Sequence, residues 1–229
     1  MIFALIQARQ SSKRFNNKIF SKLKNSYLID WVINRTKQSK KIKDIYVVIP
    51  NNKHNFQLKN YLLEKKINYF AGSENDVLDR FYKCLKKNNL KYFVRICADN
   101  PFICPDALDN LINFYNKHSC DYAYNHVPIN NNYPDGLGAE ISSLKVLDKI
   151  KKSTTDPNDR EHIFNYIWKN KKKFVLKTFN HKNIKLNYPN IKLDINFKKD
   201  LKKLNKLNIH ENVKSENIIQ EYLKHYPIK

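Results

Sequence analysis

Residues 2–18 read IFALIQARQSSKRFNNK. The first five form a continuous apolar run that ends at Gln7, and this run predicts a buried strand over residues 2–7. The loop that follows brings four cations and two hydroxyls together before the next helix. Charge-assisted bonds from Arg9, Arg14 and Lys18, with backbone N–H groups around Ser11 and Ser12, suit a polyphosphate. The alternative is a basic, solvated loop, and the GK[ST] element of a Walker loop is absent.

The rest of the chain alternates short apolar runs with helical patterns. Such alternation predicts βαβ units and a mostly parallel sheet in a single α/β domain over residues 1–229. After Cys120 the rhythm loosens, which predicts an inserted or edge substructure over 120–195. Strands are predicted at 2–7, 44–49, 68–71, 91–96, 121–125, 137–142, 173–178 and 190–195, and helices at 27–39, 54–65, 75–88, 105–117, 143–151, 159–170, 198–208 and 215–225.

The composition is that of a folded but strongly basic protein. Of 229 residues 41% are hydrophobic, which excludes a disordered chain, and the formal net charge is +22. The basic residues comprise 37 lysines, spread along the whole chain, and six arginines. This spread favours a solvated surface over a nucleic-acid interface, because basic binders concentrate charge on one face or tail. Five arginines fall inside the motifs discussed here, whereas Arg35 lies in an ordinary amphipathic helical pattern.

The apolar runs and the cysteines indicate where the protein resides. The runs are too short to span a bilayer, and residues 1–6 lack the basic region of a signal peptide. The four cysteines are scattered and form no CxxC pair. We therefore expect reduced thiols in a cytoplasmic protein without a membrane partner.

A second polar segment follows the strand predicted at 91–96. It begins at Arg95 and reads RICADNPFI, with Asp99 just beyond the strand. A carboxylate at that place suits Mg²⁺, which prefers carboxylate oxygens together with substrate phosphates. The alternative is an aspartate that caps the next turn.

Five segments together resemble the cytidylyltransferase family, within it the SpsF-like spore-coat-polysaccharide branch, which is related to CMP-Kdo and CMP-acylneuraminate synthetases. They occur in family order between residues 2 and about 201. Two departures concern the first loop: Ser11 replaces a glycine, and Asn16 and Asn17 replace a Pro-Gly pair. The segments read ARQSSKRFNNK (8–18), GSENDVLDR (72–80), VRICADNP (94–101), YPDGLGAE (133–140) and REH (160–162).

The resemblance implies a three-layer α/β/α Rossmann-like nucleotidyltransferase fold. It also implies CTP as donor and Mg²⁺ as cofactor, in the biosynthesis of a surface polysaccharide such as capsule, lipopolysaccharide or spore coat. Pyrophosphate would be released, with Arg14, Lys18 and Asp99 as the catalytic residues. The nucleotide would be held by Arg9, Ser11, Ser12, Arg14, Lys18, Asp76 and Arg80.

The same resemblance implies the metal and acceptor residues. Asp99 and Asp194 are the candidate metal ligands, although Asn196 stands where the spore-coat branch keeps a carboxylate. An alternative role for Asp194 is to cap the helix predicted at 198. The acceptor would contact Asp135, Glu140, Arg160 and His162; His162 either deprotonates an acceptor hydroxyl or orients a neighbour. A sugar acid, a sugar, or a small phosphorylated acid or polyol remains possible as the acceptor.

Related proteins usually pair through the carboxyl-terminal half, so the resemblance also implies a homodimer. Eight aromatic residues between 122 and 179 offer a physical reason, if the short strands leave apolar faces that a second copy covers. The alternative is that these aromatics pack on their own sheet. Two other functions remain open: transfer from another nucleoside triphosphate, and nucleic-acid binding without a catalytic role.

Overall fold

The structure, a computed structural model, describes residues 1–12 and 14–228. Its centre is a seven-stranded sheet, in which four neighbouring strands run parallel and one strand on the other side runs antiparallel to both of its neighbours. In spatial order the strands are β5 (Tyr69–Gly72), β4 (Ile42–Pro50), β1 (Ile2–Gln7), β6 (Tyr92–Cys97), the antiparallel β8 (Glu140–Ser143), β7 (Tyr122–Tyr124) and β9 (Leu176–Thr178). A separate hairpin joins β2 (Lys22–Leu23) to β3 (Ser26–Tyr27).

Helices cover both faces of this sheet. One face carries α1 (Leu28–Lys37), α2 (Phe56–Glu64) and α4 (Pro105–Lys117). The opposite face carries α3 (Val77–Lys87), α5 (Leu144–Ser153), α6 (Pro157–Glu161) and α7 (Asn165–Lys169). At the carboxyl end, α8 (Lys198–Leu204) and α9 (Ser215–His225) pack around a third apolar cluster.

Strand β1 shows why the sheet is buried on both sides. Side chains alternate across a strand, so Ala4 and Ile6 face one helical layer while Leu5 faces the other. All three are fully buried. An uninterrupted apolar run is what such a strand requires, and the three-layer α/β/α fold expected from the sequence is confirmed.

Arg35 shares the helical spacing of Leu28, Trp31 and Val32, and the structure buries it on the same face of α1. It is 1% exposed and donates hydrogen bonds to the carbonyl oxygens of Ile103 (2.8 Å), Glu211 (2.9 Å) and Val213 (2.8 Å), and to Ser215 Oγ (2.8 Å). Burial lowers the pKa of this guanidinium. Arg35 therefore ties α1 to the segment before α9, a role that needs its five-donor fork.

Two predicted elements differ from the structure. The helix predicted at 159–170 is divided into α6 and α7, because the chain between them turns to bury Ile163 and Phe164 against the sheet. The strand predicted at 190–195 is absent from the described residues; a single bridge joins Asp135 to Lys192. Apolar side chains from that segment pack with the α8–α9 cluster instead of extending the sheet.

The aromatic residues expected to form a dimer face are mostly inside the protein. Tyr122, Tyr124, Tyr133, Phe164 and Phe174 are each at most 6% exposed, and Tyr166, Trp168 and Phe179 are half-buried. Tyr122, Tyr124, Phe164 and Phe174 pack in the cluster against the sheet, as the alternative interpretation has it, whereas Tyr133 packs in the α8–α9 cluster; the dimer itself stays a prediction. The described part of the chain contains no helix with the length and apolarity needed to cross a bilayer.

Candidate functional site

The strand order brings the first two motifs together. From β1 the chain moves to β4 and β5 on one side and then returns to β6 on the other, so β1 and β6 lie next to each other. Ligands of open α/β sheets bind at the carboxyl ends of strands where the order reverses in this way. The loops at 8–17 and 98–104 flank that point.

The first loop has an ordered backbone on either side of Lys13, which lies outside the described residues. Asn17 adopts a left-handed conformation (φ 55°), and its N–H donates to the carbonyl of Gln10 at 3.1 Å. Asparagine tolerates this conformation better than most residues. The replacement of the family's Pro-Gly pair therefore leaves the turn feasible.

The polar side chains of this loop are divided among several neighbours. The Ser12 hydroxyl accepts from the N–H of Phe15 at 3.4 Å, and the Ser11 hydroxyl donates to Glu74 at 3.1 Å. Arg9 is half-exposed, with 3.8 Å between its Nη1 and Oε1 of Glu161. The exposed Arg14 guanidinium lies 5.5 Å from the centre of the Phe197 ring. Arg9 and Arg14 thus remain accessible to an anionic ligand.

Lys18 joins the two loops. Its side chain is almost buried, and Nζ lies 3.1 Å from Oδ2 of Asp99 and 2.8 Å from the carbonyl oxygen of Ile195. The N–H of Ile195 in turn donates to the carbonyl of Asp99 at 2.9 Å. A cation, a carboxylate and the segment that carries Asp194 therefore meet beside the ends of β1 and β6.

Asp194 and Asp135 lie close enough to Asp99 for their charges to interact. Burial and the Asp194 carboxylate raise the pKa of Asp135 to about 6, and burial and Asp99 raise the pKa of Asp194. Asn196 donates a hydrogen bond to Asp194. Three carboxyl groups whose charges repel one another favour a cation among them.

Gly136 explains how Asp135 reaches this position. It adopts φ +92°, and a Cβ there would lie 2.8 Å from the N atom of Asp194. The flanking backbone is paired, since the N–H of Leu193 donates to the carbonyl of Asp135 at 3.0 Å. Only glycine combines this conformation with so close an approach.

Asp76 and Arg160 form an ion pair, although the resemblance assigned them to different substrates. Arg160 donates two hydrogen bonds to Oδ2 of Asp76, one of them at 2.9 Å from Nε. Asp76 also caps α3 by accepting from the N–H of Asp79 at 2.8 Å. Arg160 therefore holds the loop between β5 and α3, whatever else it contacts.

Arg80 lies beneath that loop. It is 1% exposed and donates to the carbonyl oxygen of Ser73, while its Nε has no hydrogen-bond partner. Burial, together with the charge of Arg9, lowers the pKa of Arg80 to about 10. Gly72 permits this packing, because a Cβ there would approach Cγ of Arg80 at 2.9 Å.

Glu140 and His162 are placed differently from each other. Glu140 is 4% exposed, pairs with Arg95 and accepts from the Tyr122 hydroxyl at 2.6 Å. Burial opposes its ionisation, but His126, Arg95 and Tyr122 together hold the pKa of Glu140 below its ordinary value. The side chain of His162 is exposed, between α6 and α7.

Sequence reasoning missed three contributors to this region: Phe197, the Ile195 carbonyl and Glu74. Phe197 and Ile195 lie far along the chain from the residues that they contact, and no sequence pattern predicts these contacts. Glu74 could have been found, because it belongs to the loop after β5 and that loop lies at the same edge of the sheet.

Beside Asp194 a cleft of about 350 Å³ is lined by Lys192, Asn196, Phe197, Lys199, Asp200, Lys203 and Leu204.

Several known proteins are similar to this chain in fold or in sequence. A structure of a cytidylyltransferase from Leptospira borgpetersenii superposes with a TM-score of 0.87 at 24% identity, over 99% of this chain and 94% of that one. A structure of CMP:2-keto-3-deoxy-manno-octonic acid synthetase with CTP has a TM-score of 0.68 at 13% identity, over 90% and 97% of the two chains. Among curated sequences, the Bacillus subtilis spore coat polysaccharide biosynthesis protein SpsF is 30% identical over 171 residues, which are 72% of this chain and 69% of that protein. An uncharacterized protein of Methanocaldococcus jannaschii is 34% identical over 169 residues, 74% and 68% of the two chains.

A mostly parallel α/β/α sheet with a cation-rich loop and a carboxylate at its switch point is the arrangement of the nucleotidyltransferase class of enzymes, to which the protein belongs. The sequence model of the family described as cytidylyltransferase matches residues 3–224. The chain belongs to the cytidylyltransferase family, as its motifs predict.

Proposed function

We propose that this enzyme transfers CMP from CTP to a small acceptor and releases pyrophosphate. One observation carries the proposal: Lys18 and Asp99, from the loops after two neighbouring strands, meet at 3.1 Å beside the switch point. A triphosphate with its divalent cation requires a positive group and a carboxylate at one place. Membership of the family supports cytidine as the nucleoside.

The reaction is an in-line displacement at phosphorus. An acceptor oxygen attacks the α-phosphorus, the bond from that phosphorus to the oxygen bridging to the β-phosphorus breaks, and the acceptor proton passes to a base or to solvent. The protein aligns the reactants and neutralises the negative charge that grows on pyrophosphate. Arg9, Arg14 and Lys18 would supply that positive charge, with Ser11 and Ser12 on the same loop.

The carboxylates of Asp99 and Asp194, close to Lys18, are suited to bind a divalent cation. The described residues contain no group of three or more His, Cys, Asp or Glu side chains arranged to hold a metal ion. Two protein carboxylates, Asp99 and Asp194, with water and phosphate as the remaining ligands, nevertheless match how Mg²⁺ is bound in phosphoryl-transfer enzymes. The raised pKa values of Asp135 and Asp194 support the fit, because a cation would relieve their repulsion. When bound, the metal would neutralise phosphate charge.

The acceptor belongs, in our proposal, to the biosynthesis of a surface polysaccharide. The likeness to SpsF and to the octonic acid synthetase supports a sugar acid, a sugar, or a phosphorylated acid or polyol. Of the candidate acceptor residues, His162 has an exposed side chain, whereas Asp135 is next to Asp194. Arg160 pairs with Asp76, and Glu140 is buried with Arg95.

Three experiments test this function. Melting curves with CTP, UTP, GTP and ATP, each with Mg²⁺, should show the largest stabilisation by CTP, since a bound ligand stabilises the folded state. If another triphosphate raised the melting temperature as much as CTP does, the assignment of CTP as the donor would be wrong. A panel of candidate acceptors with CTP, followed by pyrophosphate release, then identifies the acceptor class. Steep salt-dependent binding of arbitrary oligonucleotides without metal-dependent CTP binding would instead support a nucleic-acid-binding protein.

We further propose a homodimer that forms through the carboxyl-terminal half. The support is the outer strand β9, which has three residues and pairs on one side with β7, and the neighbouring Val175, which is 50% exposed. Unpaired strand edges readily pair with another chain. Light scattering at physiological salt should give twice the monomer mass of 27.4 kDa. A mass near 27.4 kDa across micromolar concentrations would contradict the dimer.

A further inference from the structure

Glu74 connects three loops at the carboxyl edge of the sheet. It lies in the loop after β5, and its carboxylate accepts from the Ser11 hydroxyl at 3.1 Å and from Nδ2 of Asn52 at 2.6 Å. Ser11 follows β1, and Asn52 follows β4. The side chain is partly exposed, so a nucleotide bound at this edge of the sheet could contact it.

The carboxylate lies on the opposite side of β1 from the predicted metal site. Asp99 follows β6, whereas Glu74 follows β5, and the strand order is β5, β4, β1, β6. Three strand spacings separate the ends of β5 and β6, about 14 Å at the usual spacing. The edge therefore has two ends: the Glu74 carboxylate, which reaches back to Ser11 and Asn52, lies between the loops after β1 and β4, and Lys18 meets Asp99 on the β6 side.

Electrostatics assign different parts of a nucleotide to these two ends. Phosphate groups and a carboxylate repel each other, so the Glu74 end disfavours the triphosphate. The exocyclic amine of cytosine, in contrast, is a donor that carboxylates accept. Uracil has a carbonyl oxygen at the same position. Two acceptor oxygens would then face each other without a hydrogen bond, which disfavours UTP.

We propose that Glu74 accepts a hydrogen bond from the cytosine amine and thereby selects CTP over UTP; this inference rests on the proposed function. A carboxylate has about four lone-pair sites, and Ser11 and Asn52 occupy two of them. The same two hydrogen bonds hold the carboxylate in one orientation. Ser11 thus supports the base end of the site, while Arg14 and Lys18 serve the phosphate end.

The test is the variant Glu74→Gln, in which an amide of the same shape can accept from cytosine or donate to uracil. Dissociation constants for CTP and UTP, measured by calorimetry with Mg²⁺, give the preference of each protein. A good bidentate base contact is worth about 1–3 kcal/mol, so a single hydrogen bond at the low end of that range corresponds to a factor of about 5–10 in discrimination. We expect the preference for CTP to fall by about that factor in the variant, mainly through tighter binding of UTP.

Two controls separate recognition from loop support. Glu64→Gln, at an exposed position at the end of α2, should retain the wild-type preference. Asn52→Ala removes one of the two hydrogen bonds that orient Glu74 but keeps the carboxylate and its Ser11 contact, so the preference for CTP should fall much less than in Glu74→Gln. A Glu74→Gln protein that retains the CTP preference would overturn this inference alone. A wild-type protein without any CTP preference would overturn the proposed donor as well.

Discussion

Arg95 and Glu140 lie directly opposite each other on the antiparallel strands β6 and β8, and their side chains form a buried ion pair. Nε of Arg95 also donates to Oε1 of Gln7 at 3.0 Å, which extends the contact to β1. The pair therefore stabilises the junction where the parallel part of the sheet meets its antiparallel strand.

Glu140→Gln should destabilise the protein by about 3 kcal/mol, because it leaves the Arg95 charge buried without its partner. The pKa of Glu140 is held below its ordinary value of 4.5, so its contribution is present above that pH and is lost as the pH falls through the lower folded-state pKa. Urea unfolding at pH 7 and at pH 4 should show a smaller difference between variant and wild type at the lower pH.

The matched control is Asp148→Asn, which breaks an exposed pair with Lys152 in α5. Solvent screens an exposed pair, so little change in the free energy of unfolding is expected. Equal unfolding free energies for the two variants would show that the buried pair is not a major source of stability.

Lys18→Ala should reduce the rate of pyrophosphate release about 10²–10³-fold, the scale of a single group that stabilises the transition state. The neighbouring exposed Lys22 provides the control, because Lys22→Ala removes an equal charge outside the switch point. The melting temperature of each variant should accompany the rates. Near-normal turnover by a folded Lys18→Ala enzyme would remove Lys18 from the proposed mechanism.

Asp99→Asn should abolish most activity and the metal dependence of CTP binding, because it keeps the shape of the side chain but removes the charge that a hard cation needs. Weak binding of CTP through the arginines should remain. Calorimetry with and without Mg²⁺ measures this difference directly. Asp106→Asn, at an exposed position in α4, is the control, and a metal-dependent Asp99→Asn enzyme would contradict the assignment.

Asp135→Asn should stabilise the metal-free protein at neutral pH. In the folded state burial and Asp194 raise the pKa of Asp135 to about 6, above its ordinary value of 3.8. The folded protein thus retains a proton that the unfolded chain has lost, and stability falls as the pH rises through this interval.

With allowance for solvent screening, the gain at pH 7.5 should be about 1–2 kcal/mol, or roughly 2–8 °C in melting temperature. At pH 4.5 or below the difference should nearly vanish, since Asp135 is then protonated in the folded wild-type protein. A gain that is the same at both pH values would indicate a cause other than the charge of Asp135.

The local patterns of this sequence determined its fold class. Apolar runs such as 3–6 and 46–49 are typical of strands in a sheet covered on both faces, and the helical patterns between the strands supply that cover. Motif order was sufficient for the family, and three of the five motifs, at 8–18, 72–80 and 94–101, lie at the carboxyl ends of strands, where open sheets bind their ligands.

The tertiary structure decided which of these residues meet. Lys18 and Asp99 are 81 positions apart, and the contact depends on β6 returning to lie beside β1. The pairing of Asp76 with Arg160, the burial of Arg35 and the position of Glu74 beside Ser11 likewise arise from packing between distant segments. Sequence patterns report the periodicity of neighbouring residues, whereas these contacts are set by how whole elements pack, and a one-dimensional pattern does not contain that information.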